Sequence, residues 1–119
     1  LIDVDNFKLI NDTYGHLTGD QVLVHVGRKL QESVRSSDYV IRWGGDEFLV
    51  IVPFTNDSVM REIQERLVQN VTSNPPESAP VAISAGYAVY PDEGSQFTEL
   101  LSVADHKMYT SKLQPLAQI

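Results

Sequence analysis

At 119 residues the chain is the size of one domain and long enough to bury a core, and its 42% hydrophobic and 21% charged content is ordinary for a folded globular protein. It has no cysteine, which excludes disulfides and thiolate metal sites and suits a reducing, cytoplasmic setting, and no apolar run approaches the roughly 20 residues of a membrane span. A formal net charge of -7 repels phosphate backbones, so nucleic acid is not an expected partner; a small phosphate ligand would need cations to join it to carboxylates.

In chain order, residues 1–5 read as the end of a buried strand, and residues 7–14 as a short helix closed by Gly15. Val22, Leu23, Val26, Leu30 and Val34 fall at helical spacing and predict an amphipathic helix over 18–34. Arg35 to Asp38 turns the chain. The runs 39–43 and 46–54 are rich in β-formers and flank Gly44-Gly45, a signal for a hairpin with a type I′ turn, which needs positive φ at both central residues. Asn56 or Asp57 caps a helix striped by Val59, Met60, Ile63, Leu67 and Val71. Residues 72–80 form a loop, 81–90 the longest strand, 91–95 a turn, and 97–112 a helix with Phe97, Leu100, Leu101, Ala104 and Met108 inward, ended by Pro115. The order β-α-α-β-β-α-β-α predicts an α/β (α+β) domain of the ferredoxin-like or polymerase-palm type, with helices packed on a sheet that contains antiparallel strands.

Two acidic clusters stand out. Asp3 and Asp5 are two apart on a strand and so point to one face. Asp46 and Glu47 follow the glycine turn. A hairpin beside the first strand would bring Asp3 and Asp46 together, where their charges repel unless a hard cation neutralises them. Mg²⁺ takes one or two protein carboxylates and leaves room for substrate phosphates, the arrangement of two-metal phosphoryl transfer. The competing reading is a solvated strand end beside an ordinary acidic hairpin. His16, His25 and His106 lack metal-site spacing, and Trp43 and Tyr109 read as packing residues.

The string Trp43-Gly44-Gly45-Asp46-Glu47-Phe48 resembles the signature of the GGDEF family. Upstream, Asp3-Val4-Asp5-Asn6-Phe7-Lys8-Leu9-Ile10-Asn11-Asp12, then Gly15-His16 and Gly19-Asp20, resemble its first-strand motif, and Ala104-Asp105, Met108-Tyr109 and Lys112 its final helix. The resemblance implies a diguanylate cyclase: two domains each present one GTP, and each 3′-hydroxyl attacks the α-phosphate of the other, giving cyclic di-GMP and two pyrophosphates. By the same resemblance Asp3, Asp46 and the Val4 carbonyl would bind Mg²⁺ or Mn²⁺, two ions per site. Glu47 would be a further ligand or would help activate the 3′-hydroxyl. Asn11 and Asp20 would read guanine, Phe7 and Lys8 would offer backbone N–H groups to the phosphates, and Lys112 would reach them by its side chain. Arg35 and Asp38 would form an inhibitory site for cyclic di-GMP. Read as residues alone, Asn11 and Asp20 are helix caps, and Arg35–Asp38 is a surface ion pair.

The sequence is expected to be one GGDEF domain over 1–119, a fragment that lacks the family's first helix and closing strand, with an upstream sensory or membrane region elsewhere in its parent. Leu116 stands where the family pattern has a basic residue. That departure keeps a second reading open, a catalytically inactive module sensing GTP or cyclic di-GMP.

Overall fold

The computed structural model describes residues 1–113. Four strands, β1 (Ile2–Val4), β2 (Tyr39–Arg42), β3 (Glu47–Ile51) and β4 (Ile83–Ala85), and four helices, α1 (Phe7–Tyr14), α2 (His16–Ser33), α3 (Asp57–Ser73) and α4 (Phe97–Lys112), follow the expected α+β order. The strands form one sheet in the order β2-β3-β1-β4, every neighbouring pair antiparallel.

The alternation along β1 divides the domain. Ile2 and Val4, each 1% exposed, face the same side as their cross-strand neighbours Phe48, Ala85 and Ile83. There they meet Val22, Val26 and Leu30 of α2 and Ile63, Leu67 and Val71 of α3 in one core. Asp3 faces the other side, opposite Glu47 on β3 and Ser84 on β4. That side carries α4.

Several boundaries differ from the sequence reading, each for a local reason. The glycine turn is a four-residue connection, 43–46, and neither Gly44 nor Gly45 adopts positive φ, so it is not type I′. The Trp43 and Gly44 N–H groups converge on the Glu47 carbonyl at 2.9 and 3.3 Å. The Arg42 guanidinium donates to the Gly44 and Gly45 carbonyls at 3.1 and 2.6 Å. Side-chain bonds therefore shape the turn, and Asp46 lies in it rather than on β3. The long strand expected over 81–90 is Ile83–Ala85, paired with Ile2, Asp3 and Val4 of β1, and Leu1 exchanges hydrogen bonds with Gly86 just beyond it. β3 stops at Ile51, before Pro53, which has no N–H for a ladder, and Phe54, at φ 54°.

The helices match better. Asn56 caps α3, its side chain accepting from Val59 N–H at 2.9 Å. α4 starts in a reciprocal capping box between Gln96 and Glu99. α2 begins at His16, before the expected Thr18, because Gly15 turns the corner from α1 at φ 93°. Ala104 and Met108 are buried as expected, whereas Phe97 is half-exposed and meets Trp43 edge-on, ring centroids 5.8 Å apart. Tyr109 is exposed and is not a packing residue. Pro115 and Leu116 lie outside the described residues.

Candidate functional site

Three elements converge on the far face of the sheet. The β1–β3 register sets Asp3 directly opposite Glu47, and the Val4 N–H donates to the Asp46 carbonyl at 3.0 Å, pinning the turn to β1. Lys112, in the last turn of α4, places its ammonium on Asp3 Oδ2. The other carboxylate oxygen, Asp3 Oδ1, is buried without a hydrogen-bond partner. The Val4 side chain faces the core, so only its backbone is available to this site.

Electrostatics match that crowding. Burial, followed by the charge of Asp3, holds the Asp46 carboxyl above its usual range. Burial, then Asp3, Asp46 and Asp105, raises Glu47 in the same direction. Burial opposes the charge on Lys112, but Asp3, Asp5 and Asp46 outweigh it and raise the ammonium's pKa. Among the described residues no three His, Cys, Asp or Glu side chains already surround one point as a finished metal cage. The donor set nevertheless fits a divalent cation. A buried carboxylate oxygen lacks a partner, two further carboxylates resist ionisation beside it, and one side-chain cation already sits on the cluster.

This crowding carries a stability consequence. Carboxylates raised on folding hold protons that the unfolded chain releases. Their penalty is absent below the ordinary values of 3.8 for Asp46 and 4.5 for Glu47 and develops as pH rises through the raised ones. Without divalent cation, Asp46→Asn is expected to raise the melting temperature at neutral pH and to flatten the gain in stability on mild acidification. A lowered melting temperature with the same pH dependence would contradict the repulsion.

The other expected contacts are distributed around this centre. Asn6 precedes α1 at φ 53° and its side chain caps nothing, so it does not occupy the leading N–H groups of α1 at Phe7 and Lys8. Asn11 and Asp20 lie inside α1 and α2, while the capping positions belong to Asn6 and Gly15; the capping reading of both residues is therefore excluded. Asn11 is half-buried and Asp20 exposed. Arg35 and Asp38 stand apart from the acidic centre. The Asp38 side chain is fully buried and accepts from the Arg35 backbone N–H at 2.8 Å and from its guanidinium at 3.1 to 3.3 Å. The guanidinium also donates to the Pro53 carbonyl at 2.8 Å, and its side chain is 41% exposed. The pair is thus more than a surface bridge.

Sequence reasoning missed three contributors. Asp5 accepts from the buried Ser84 hydroxyl at 2.6 Å, bracing β1 against β4 beside Asp3. Arg42 clamps the glycine turn, and Asp105 adds negative charge near Glu47. In the sequence Asp5 and Asp105 stand only as members of a cluster or motif, with no contact assigned to either, and nothing there points to Arg42.

Comparison with known proteins agrees with this layout. The family described as diguanylate cyclase, GGDEF domain, matches residues 1–117. The chain is 40% identical over 114 residues to the Bacillus subtilis protein YtrP, covering 94% of this chain and 19% of that protein. It is 37% identical over 117 residues to the Escherichia coli diguanylate cyclase DosC, covering 94% and 25%. The chain therefore spans a quarter or less of these two relatives. Among solved structures, the GGDEF domain of Pseudomonas aeruginosa YfiN superposes with a TM-score of 0.87 at 33% identity, covering 96% of this chain and 74% of that one. The GGDEF domain of Caulobacter crescentus DgcB, solved in complex with c-di-GMP, gives 0.84 at 31% identity, covering 94% and 69%.

Proposed function

Because this chain belongs to the GGDEF diguanylate cyclase domain family, we propose that it condenses two GTP molecules into cyclic di-GMP across a homodimer. The observation that carries the proposal is the cross-strand pairing of Asp3 with Glu47, with Asp46 pinned beside them and one Asp3 oxygen left without a partner. Asp3, Asp46, Glu47 and the Val4 carbonyl would hold Mg²⁺ or Mn²⁺. Such ions, when bound, supply charge neutralisation and polarise the phosphoryl oxygens. The chain's own groups do the positioning. The free N–H groups at the start of α1 receive phosphate, Lys112 adds a cation that can turn from Asp3 toward the triphosphate, and Asn11 and Asp20 meet the guanine edge. A carboxylate suits guanine, whose N1–H and amino group are adjacent donors; adenine presents an acceptor at N1 and leaves the carboxylate partly unpaired.

In each of two condensations a 3′-hydroxyl gives up its proton, to Glu47 or to solvent, and its oxygen bonds to the α-phosphorus of the other nucleotide. The bond from that phosphorus to pyrophosphate breaks, so the second condensation closes the ring and two pyrophosphates leave. One site holds half of this reaction, so the second domain supplies the second nucleotide. Incubation with GTP and Mg²⁺ tests the proposal: cyclic di-GMP and pyrophosphate are expected, and absence of product would overturn it. Lys112 resting on Asp3, where an ion would bind, favours one alternative, a module that binds nucleotide without turnover. Binding of GTP with no product in the same assay would identify it.

We place cyclic di-GMP inhibition at Arg35, with Asp38 orienting its guanidinium. Arg35→Ala is expected to raise the product concentration that halves activity by about tenfold or more. It should also cost stability, though less than the roughly 3–5 kcal/mol of a fully buried pair, because Arg35 is partly exposed and its backbone N–H still serves Asp38. Product titration of the variant checks this; unchanged inhibition would remove Arg35 from that role. Among the described residues no helix is long and apolar enough to cross a membrane.

A further inference from the structure

Gly19 lies in the second turn of α2, a position where helix formation alone favours alanine by roughly 1 kcal/mol. Its φ is ordinary for a helix, so conformational freedom does not explain it. The space beside it does. A β-carbon on Gly19 would stand 1.8 Å from Asn11 Oδ1, 3.0 Å from Asn11 Cγ and 3.3 Å from Phe7 Cζ. The Asn11 carboxamide therefore lies across the bare backbone of α2, in a slot that exists because residue 19 has no side chain. Gly27, two turns on, gives the contrast: its added β-carbon would meet the Phe48 ring at 3.4 Å, an ordinary contact.

Backbone hydrogen bonds fix the walls of the slot. The Asn11 backbone carbonyl accepts the Gly15 N–H at 2.8 Å at the corner between α1 and α2, and the Gly19 N–H in turn donates to the Gly15 carbonyl at 3.1 Å. The two helices are thus fixed to each other at the corner, and the backbone cannot easily shift to relieve a new side chain. What can move is the far end of the Asn11 side chain.

We propose that Gly19 is a positioning residue for base selectivity: the slot it leaves open aims the Asn11 carboxamide at the nucleobase. The inference rests on the reading of Asn11 as a base contact and assigns Gly19 a role distinct from direct contact. An alanine here evicts the carboxamide while the fold gives little, because the displaced atoms end a flexible side chain rather than belong to backbone.

The test is calorimetric titration with 3′-deoxy-GTP and 3′-deoxy-ATP in Mg²⁺, analogues without the attacking hydroxyl, on the parent chain, Gly19→Ala, Asn11→Ala, the double variant and Gly27→Ala. Gly19→Ala is expected to lose about tenfold or more in affinity for the guanine analogue, and to lose preference over the adenine analogue, as Asn11→Ala does. The double variant should bind within about twofold of Asn11→Ala, since one contact cannot be lost twice. Gly27→Ala should bind like the parent. Unchanged affinity and preference in Gly19→Ala overturn the inference, as does a loss that adds fully to that of Asn11→Ala. If Asn11→Ala itself binds like the parent, the base-contact reading fails and takes this inference with it. Should Gly19→Ala not fold, the double variant decides: recovery of folding on removing the Asn11 side chain places that side chain in the slot, and no recovery overturns the assignment.

Discussion

Glu47→Gln is expected to abolish cyclic di-GMP synthesis, lowering kcat by about a thousandfold or more with the melting temperature unchanged or raised. Glutamine keeps the shape of the side chain and its place opposite Asp3, so the β1–β3 ladder and the buried Phe48 beside it are undisturbed. The negative charge disappears. That charge is what burial and the neighbouring Asp3, Asp46 and Asp105 oppose in the folded protein, so its removal relieves repulsion while it strips the site of a carboxylate needed for cation or proton. The combination of an inactive enzyme with an intact or stabilised fold separates a functional carboxylate from a structural one. Turnover assayed beside a melting curve checks it, and near-parental kcat would show that Glu47 takes no part in the chemistry.

Gly86→Ala should have the largest effect on the fold. Gly86 is where β4 passes under α4, and a β-carbon there would lie 2.3 Å from both the Ala104 carbonyl oxygen and the Met108 nitrogen and 2.9 Å from the Lys107 carbonyl carbon. These are backbone atoms in the middle of a helix and cannot rotate away, so the helix must lift. We expect a loss of about 3 kcal/mol or more, read as a lower midpoint in urea. Lifting α4 also withdraws Lys112 from Asp3, so any folded fraction should bind nucleotide more weakly. A parental midpoint would contradict the close contact of Gly86 with the α4 backbone.

Much of the layout was legible because local rules and tertiary demands agree. The apolar stripes of α2 and α3, the Asn56 cap and the bounds of α4 follow from helical spacing and capping chemistry, and the inward Ala104 and Met108 follow from the same period. Asp3 and Asp46 could be brought together from a strand beside a hairpin, whereas Glu47 entered the site only through the resemblance to the GGDEF signature, because neighbouring strand residues face opposite ways. The sequence misled where a partner elsewhere decides the outcome. β4 has the composition of a long strand, yet its ladder with β1 covers only Ile83–Ala85. Gly44-Gly45 has the composition of a type I′ turn, yet Arg42 holds a longer loop with its guanidinium. The glycines at 19 and 86 look alike in sequence; one clears a side chain and the other a helix backbone. Lys112 on Asp3 spans 109 residues, beyond the reach of any periodic pattern.

The central claim is that carboxylates from β1 and the glycine turn bind nucleotide through a shared cation. Calorimetric titration of 3′-deoxy-GTP into the parent chain and into Asp3→Asn/Asp46→Asn, each with and without Mn²⁺, measures it. The parent should bind about a hundredfold more tightly with the metal, a dependence the double variant loses. Equal metal dependence in both proteins would contradict the account.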